Sequence, residues 1–227
     1  MPEIEKILTG KTDQHIHWLT DNLGIHQEMV NAYEDMQTAA KAKNIELKIA
    51  SGFRDFSRQL TIWNNKFNGK STVKDEEGNI IDLSLLSDNE KIHAIMLFSA
   101  LPGASRHHWG CDIDVYAPNL LKEEQTLKLE PWEYQKNGPF SPLTIWLAKN
   151  AAKFGFYFPY DKFRGGVAAE PWHLSYHPIA SQYQQLHNIS LLENIITESD
   201  ILGKDQLLQL LPELYQRYIS NVASISD

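Results

Sequence analysis

The sequence predicts an α+β fold, in which helices flank a small antiparallel sheet and a helical extension follows at the C-terminus. Residues 45–50 alternate apolar and polar side chains, which is the pattern of a half-buried strand. Residues 26–43 instead repeat apolar side chains every three or four positions, which predicts a helix. Because short strands have helices between and after them, the α+β class is favoured.

Helix caps and turn-forming residues predict the other elements. Ser87 to Glu90 fits a capping box, and Ser141-Pro142 fits an N-cap followed by proline in the first turn. Residues 68–86 are charged and turn-rich, which predicts a hairpin or a mobile loop, and residues 117–140 are a polar insertion. The predicted helices are 26–43, 56–67, 87–98, 141–154 and most of 181–223, with a kink at Pro212.

Length and composition predict one folded domain with appendages, since the chain has 227 residues of which 42% are hydrophobic. We expect residues 1–180 to form this domain, with a core at about 26–178, and residues 181–227 to form a helical extension packed on it. The formal net charge is -8 and no long basic block occurs. Nucleic acid and anionic membrane surfaces are therefore not expected as partners.

Location and redox state are predicted from what the sequence contains. No segment approaches the ~20 apolar residues of a membrane span, so none is expected. The first residues show no basic stretch followed by an apolar run, which favours a cytoplasmic location, or a periplasmic one if a leader has been removed. Cys111 is the single cysteine, which excludes an intrachain disulfide and predicts a packed thiol. Nothing in the sequence predicts the oligomeric state.

Two short segments carry residues that suit a metal site. Residues 105–114 contain His107 and Asp114, and residues 170–173 contain Glu170 and His173. Two imidazoles and one carboxylate make a three-ligand zinc set that leaves a position for water, and the second carboxylate is placed like a general base. Each segment alone is a weak signal for a metal site. The signal is much stronger when both occur together, with Ser105 and Gly110 at fixed offsets in the first and a proline and a tryptophan inside the second.

The spacing within the first segment requires a bend in the backbone. His107 and Asp114 are seven residues apart, and an odd separation places side chains on opposite faces of a straight strand. Gly110 lies where a bulge or turn would solve this. After it, Ile113 and Val115 are expected in the core, while Asp114 faces a cleft.

The second segment poses the same problem, since Glu170 and His173 are three residues apart. Pro171 favours an extended conformation for Glu170. We therefore expect Glu170 just before a strand and His173 on it, so that the carboxylate reaches a bound water rather than the metal. The remaining histidines have no metal-like spacing, and His108 is expected to point away from the site.

These motifs together resemble a known family. The pattern Ser-x-His-x-x-Gly-x-x-x-Asp, followed by Glu-x-Trp-His, resembles the zinc D-alanyl-D-alanine carboxypeptidases of the VanY type, in the group that includes lysostaphin-type enzymes and the Sonic hedgehog signalling domain. Residues 51–54, Ser-Gly-Phe-Arg, with Gln59 five residues further on, resemble a third motif of that family. The resemblance spans roughly residues 45–178.

The resemblance implies a zinc peptidase with one Zn²⁺ per chain that acts on peptidoglycan stem peptides. It implies hydrolysis of the C-terminal D-amino-acid peptide bond, with an oxyanion stabilised by zinc and an arginine. The implied residues are His107, Asp114 and His173 as zinc ligands, Glu170 as general base, Arg54 at the substrate carbonyl, and Gln59 and Ser105 as peptide-binding residues.

Some positions depart from the family pattern and leave alternatives open. Asp112 stands where the family usually has alanine, so it either supports the site from behind or competes with Asp114 for the metal. Phe53 replaces a tyrosine, and Ser175 stands where many relatives carry arginine, which leaves the substrate preference open. The alternatives are an endopeptidase or amidase of the same group and a non-catalytic zinc-containing binding module.

Overall fold

Four short antiparallel strands form the central sheet, in the order β3–β4–β6–β5. The computed structural model describes residues 1–224, so residues 225–227 of the predicted extension lie outside the described part. A separate two-stranded sheet pairs β1 with β2 near the N-terminus. The strands are β1 Ile16–Thr20, β2 Leu23–His26, β3 Lys48–Ser51, β4 Asp112–Tyr116, β5 Phe156–Tyr157 and β6 His173–Tyr176.

Helices surround the central sheet and make up the C-terminal part of the chain. Within residues 1–224 they are α1 Glu3–Leu8, α2 Val30–Lys41, α3 Phe56–Phe67, α4 Asp88–Met96, α5 Pro131–Tyr134, α6 Ser141–Asn150, α7 His177–Leu186, α8 Ile189–Glu198 and α9 Lys204–Leu214. None of these helices is long and apolar enough to cross a bilayer. The predicted α+β class is confirmed by this mixture of helices and antiparallel strands.

Strand register gives the sheet two different faces. Ile113 on β4 lies opposite Leu174 on β6, and both side chains are completely buried in the main core. Because side chains alternate along a strand, the neighbouring pair Asp114 and His173 projects from the other face. The sheet therefore fills the core with one face and presents polar groups with the other.

The second core lies under the C-terminal helices. Trp63 of α3 and Ile92 of α4 are fully buried in it, together with Leu207 and Leu214 of α9. A π-helical turn, Tyr215–Ile219, follows α9 directly. Burial of this kind is the main source of helix stability in proteins, so the last helices depend on α3 and α4 for their position.

Several element boundaries differ from the predicted ones for local reasons. The predicted helix 26–43 begins as α2 at Val30, because His26 caps a 3₁₀ turn, Gln27–Met29, through a hydrogen bond from the Glu28 amide. In the turn-rich segment 68–86 the described structure has a bridge between Lys74 and Ile80, and a 3₁₀ turn at Leu83–Leu85. The capping box at Ser87 and Glu90 is present as predicted.

Candidate metal centre and cleft

Three side chains from separate elements meet on the polar face of the sheet. His107 comes from a 3₁₀ turn, Arg106–Trp109, Asp114 from β4 and His173 from β6. One ligand atom from each residue lies within 4.8 Å of the others, and all three residues are buried. The structure thus brings together the three residues predicted as metal ligands.

The bend predicted at Gly110 is what allows His107 and Asp114 to converge. Gly110 ends the 3₁₀ turn in the left-handed region, with φ of 70°. Its carbonyl oxygen accepts a hydrogen bond of 2.8 Å from the amide of His26. A Cβ at this position would meet Cδ1 of Ile16 at 2.3 Å, so both the backbone conformation and the close packing favour glycine.

Hydrogen bonds to the outer imidazole nitrogens fix how the two histidines point. Nδ1 of His107 lies 3.0 Å from the carbonyl oxygen of Gly52, and Nε2 of His173 lies 2.9 Å from Oδ1 of Asp112. Since both oxygens only accept, both of these nitrogens donate. In the neutral rings the lone pairs are then on Nε2 of His107 and Nδ1 of His173, which face Asp114 at 3.4 and 3.3 Å.

The three residues fit a zinc ion. Oδ1 of Asp114 is buried and has no hydrogen-bond partner, although a buried carboxylate oxygen ordinarily has one. Two imidazole nitrogens and one carboxylate oxygen form a donor set that zinc accepts, with a fourth position left over. Burial lowers the pKa of His107 to about 4, so this ring is neutral and able to bind a metal near neutral pH.

Asp112 lies behind His173, so the structure favours the supporting position among those left open by the sequence. Its Oδ1 accepts from Nε2 of His173 and, at 2.8 Å, from Nε of Arg106. Its Oδ2 accepts from the hydroxyl of Ser175 at 3.0 Å. Although burial works to raise the pKa of Asp112, the charge of Arg106 and the bond from His173 hold it well below its usual range.

Glu170 adjoins the same histidine on the cleft side. Oε2 of Glu170 lies 3.1 Å from Nδ1 of His173, and the amide of Glu170 donates to the carbonyl oxygen of Tyr160 at 2.9 Å. Burial raises the pKa of the Glu170 carboxyl, and the nearby charge of Asp114 acts in the same direction. As predicted, the residue precedes β6, and it stands next to the triad at a position where it can hold a proton.

Arg54 lies in the cleft wall without a carboxylate partner among the described residues. Its guanidinium donates to Oε1 of Gln59 at 2.9 Å and to the hydroxyl of Ser51 at 3.0 Å. Its Nε is buried and makes no hydrogen bond. Burial lowers the pKa of Arg54, while the charges of Asp114 and Glu170 raise it, so the guanidinium lies within electrostatic reach of the triad.

The two residues predicted to hold the peptide occupy different positions. Ser105 is buried and lines the cleft. Gln59 is completely buried, and its amide nitrogen donates to the carbonyl oxygen of Ala100 at 2.6 Å. Because Gln59 has no accessible surface, its contact in this structure is with Arg54, whose guanidinium it holds.

The cleft in front of the triad has a volume of about 800 Å³. The turn-rich segment 68–86 and the insertion 117–140 face each other across it, joined by an ion pair of 2.5 Å between Lys74 and Glu130. Tyr215 and Tyr218 of the π-helical turn form part of a further wall. The C-terminal extension therefore contributes directly to the cleft.

The remaining histidines lie outside the triad. Nε2 of His108 accepts from the amide of Gly103 and its Nδ1 donates to the carbonyl oxygen of Arg54, so the ring points away from the triad, as expected. Cys111 is completely buried in the core, in agreement with a packed thiol. The rings of Tyr160 and His173 are in contact, with their centroids 5.0 Å apart. No sequence pattern predicts this contact, since Tyr160 lies in an irregular segment.

Comparison with known families identifies the chain. The family model described as VanY, D-alanyl-D-alanine carboxypeptidase, matches residues 22–179, which is more than half of the chain. The chain therefore belongs to the VanY D-alanyl-D-alanine carboxypeptidase family, as the motifs predicted. The matched region contains the metal triad, Glu170 and Arg54.

The chain is also similar to individual proteins and to solved structures. An uncharacterized protein of Haemophilus influenzae is 40% identical over 121 residues, which are 52% of this chain and 92% of that protein. The structure of VanYB in complex with D-alanine-D-alanine is 25% identical and covers 83% of this chain and 92% of that one, with a TM-score of 0.53. The structure of the LdcB LD-carboxypeptidase, 21% identical, covers 96% of this chain and 89% of that one with a TM-score of 0.52, and shows the same fold.

Proposed function

We propose that this protein is a zinc-dependent carboxypeptidase that removes the C-terminal D-amino acid from peptidoglycan stem peptides. The observation that carries the proposal is the arrangement around the triad, where Glu170 adjoins His173 and where Arg54, which has no carboxylate partner among the described residues, lies in the cleft wall. Membership of the VanY family, and the likeness to a VanYB structure that holds D-alanine-D-alanine, support this substrate class.

His107, Asp114 and His173 hold the zinc ion in this proposal, through Nε2, a carboxylate oxygen and Nδ1. Bound there, zinc supplies Lewis acidity, which polarises the scissile carbonyl and lowers the pKa of a water molecule. His173 is kept in place from behind by Asp112, and His107 by the carbonyl oxygen of Gly52. Such outer hydrogen bonds orient metal ligands and raise their basicity.

Glu170 is the proposed general base. Its raised pKa places it closer to working pH than an exposed glutamate, which favours efficient proton transfer. The carboxylate takes the proton of the attacking water, holds it while the carbon–nitrogen bond breaks, and passes it to the leaving amine. Burial keeps bulk water from competing for that proton.

Arg54 is the proposed donor to the developing oxyanion. Its guanidinium is held by Gln59 and Ser51, so no reorganisation is needed when negative charge appears on the substrate oxygen. Its buried Nε has no hydrogen-bond partner in the described residues. Gln59 contributes by positioning Arg54 in this account.

Incubation with defined muropeptides tests the proposed activity. The zinc-loaded protein is mixed with stem tetrapeptide, stem pentapeptide and cross-linked fragments, and the products are identified by mass spectrometry. We expect release of one terminal D-alanine from an uncross-linked peptide. Cleavage of the cross-links alone would support an endopeptidase instead, and no cleavage of any substrate by zinc-loaded protein would support a binding module.

Arg54→Ala tests the oxyanion role. We expect turnover to fall by roughly 10²-fold or more with zinc still bound, because one preorganised donor is lost. Arg58→Ala is the matched control, since Arg58 is an exposed arginine four residues further on, in the first turn of α3. Steady-state kinetics and metal content are measured for both variants, and wild-type turnover in Arg54→Ala would remove the proposed role.

A further inference from the structure

A second cation, Lys66, faces the cleft without a carboxylate partner. Its side chain is half-buried in the cleft wall, and its ammonium donates to the hydroxyl of Ser99 at 2.6 Å. No ion pair involves Lys66 within residues 1–224. A partly buried ammonium that lacks a counter-charge loses hydration without full compensation, so an anionic ligand at this place would be favourable.

A row of short hydrogen bonds connects Lys66 with Arg54 along one wall. Arg54 donates to Gln59, Gln59 donates to the carbonyl oxygen of Ala100, and the adjoining Ser99 receives the bond from Lys66. Gln59 and Lys66 are seven residues apart on α3, two helical turns along the same face. The helix thus carries Lys66 near its end and, two turns earlier, Gln59, which holds the guanidinium of Arg54 just before the helix begins.

Electrostatics also places Lys66 near the reacting groups. Burial lowers the pKa of the Lys66 ammonium, the charge of Arg54 lowers it further, and the carboxylate of Glu170 raises it. The Lys66 ammonium therefore interacts electrostatically with both Arg54 and Glu170, the groups proposed to act at the scissile carbonyl. A ligand carboxylate close to the scissile bond would also lie close to Lys66. Groups further along an extended peptide lie about 3.5 Å more distant for each residue.

We propose that Lys66, with the hydroxyl of Ser99, binds the free C-terminal carboxylate of the residue that is released. This inference rests on the proposed carboxypeptidase function and adds the group that selects for a chain end. In a carboxypeptidase substrate the terminal carboxylate is one residue beyond the scissile carbonyl, so it is the substrate anion nearest to Arg54 and Glu170. An ammonium–carboxylate hydrogen bond is of the stronger, charge-assisted kind.

Lys66→Met tests the assignment, because methionine keeps much of the side-chain length and removes the charge. Three peptides are compared: a D-alanine pentapeptide with a free terminus, the same peptide as its C-terminal carboxamide, and one with a free terminus and amidated side-chain carboxylates. We expect kcat/KM on the free-terminus peptides to fall by about 30-fold, since a charged hydrogen bond contributes about 2 kcal/mol. The rate on the carboxamide is expected to change less than about twofold, because that peptide offers Lys66 no carboxylate.

Matched variants separate this effect from a general loss of charge or fold. Lys128→Met removes a cation that also lines the cleft, among the residues of the insertion 117–140, and is expected to keep the preference for a free terminus. Lys66→Arg, which restores a cation, is expected to recover most of the preference. Thermal unfolding and zinc content are measured for every variant.

The outcomes distinguish this inference from the proposed function. Wild-type protein that cleaves, combined with a Lys66→Met variant that still prefers the free terminus, overturns the carboxylate subsite and leaves the carboxypeptidase function in place. If Lys66→Met lowers kcat/KM on the peptide with free side-chain carboxylates but not on the peptide in which they are amidated, Lys66 binds the side-chain carboxylates. That result also overturns the terminal assignment. Wild-type protein that cleaves none of the peptides overturns both.

Discussion

At the scale of single residues, Asp112 governs the orientation of a proposed zinc ligand. Burial opposes the charged form of His173, yet Asp112, bonded to its Nε2, and the carboxylates of Asp114 and Glu170 beside its Nδ1 raise its pKa well above the ordinary value. These carboxylates favour a positive charge at His173, which is the kind of charge that a bound zinc ion would supply. Asp112 itself is neutralised from behind by Arg106, so it remains a carboxylate in either state.

Asp112→Asn is expected to weaken zinc binding by about 10–100-fold, the usual effect of removing an outer partner of a metal ligand. The amide still occupies the same volume, but it lacks the charge that raises the basicity of His173. Competition with a chromophoric chelator measures the affinity. Ser175→Ala removes the hydroxyl that donates to Oδ2 of Asp112 and accepts from Arg106 but keeps the carboxylate, so it is the control and is expected to have a smaller effect. Wild-type zinc affinity in Asp112→Asn would contradict the account.

The residue scale also shows what the sequence could predict. Spacing and motifs predicted His107, Asp114, Glu170 and His173, because these residues lie within short segments whose local geometry the sequence limits. The contact of Asp112 with Arg106 and the exposure of Lys66 to the cleft depend on how distant segments pair. No local pattern carries that information, so neither was predicted.

At the scale of elements, the left-handed turn at Gly110 connects the 3₁₀ turn that holds His107 to the strand that holds Asp114. Its carbonyl oxygen accepts from the amide of His26 on β2, and this bond ties the N-terminal hairpin to the metal site. The bend was predicted from side-chain parity. The hairpin of β1 and β2 was not, because much of β1 is exposed and its apolar pattern is weak.

Gly110→Ala is expected to destabilise the fold by roughly 1–3 kcal/mol more than Gly78→Ala. Both glycines have positive φ, of 70° and 86°, so both substitutions carry the cost of a left-handed backbone. Only at Gly110 does a new Cβ meet other atoms, since nothing lies within 4 Å of one at Gly78. Urea denaturation of both variants gives the difference. Equal losses would show that the packing around Gly110 is unimportant.

At the scale of the whole molecule, stability is expected to depend on buried histidines that stay neutral. Burial lowers the pKa of His26 and of His15 to about 4, and their rings lie 5.4 Å apart between the N-terminal hairpin and the main core. The unfolded chain binds these protons near pH 6.5 and the folded protein only near pH 4. Each histidine therefore contributes stability above pH 6.5 that is lost as the pH falls toward 4.

His26→Asn isolates one of these contributions, because asparagine keeps a side-chain acceptor for the Glu28 amide and does not titrate. Between pH 7 and pH 4 the free energy of unfolding of the wild-type protein is expected to fall by up to about 3 kcal/mol more than that of the variant. Urea denaturation with zinc removed from both proteins measures this difference. Parallel pH profiles would contradict the prediction.

The C-terminal helices belong to the same scale. Their amphipathic pattern predicted helices, and the structure has them between Ile189 and Leu214, with α9 continuing through Pro212 into the π-helical turn. That this turn lines the cleft could not be predicted, because the direction in which a helix packs depends on a distant partner surface. The division of the chain into residues 1–180 and 181–227 stays a prediction.

The most direct test of the central claim is the pair of measurements on Glu170→Gln, zinc content and hydrolysis of a D-alanine-terminated stem peptide. The account predicts one zinc ion per chain, as in the wild type, because His107, Asp114 and His173 are unchanged. It predicts a fall in kcat of about 10²-fold or more, because the general base is lost. Wild-type turnover in the zinc-loaded variant would contradict the proposed role of Glu170, and loss of zinc would show that Glu170 belongs to the ligand set.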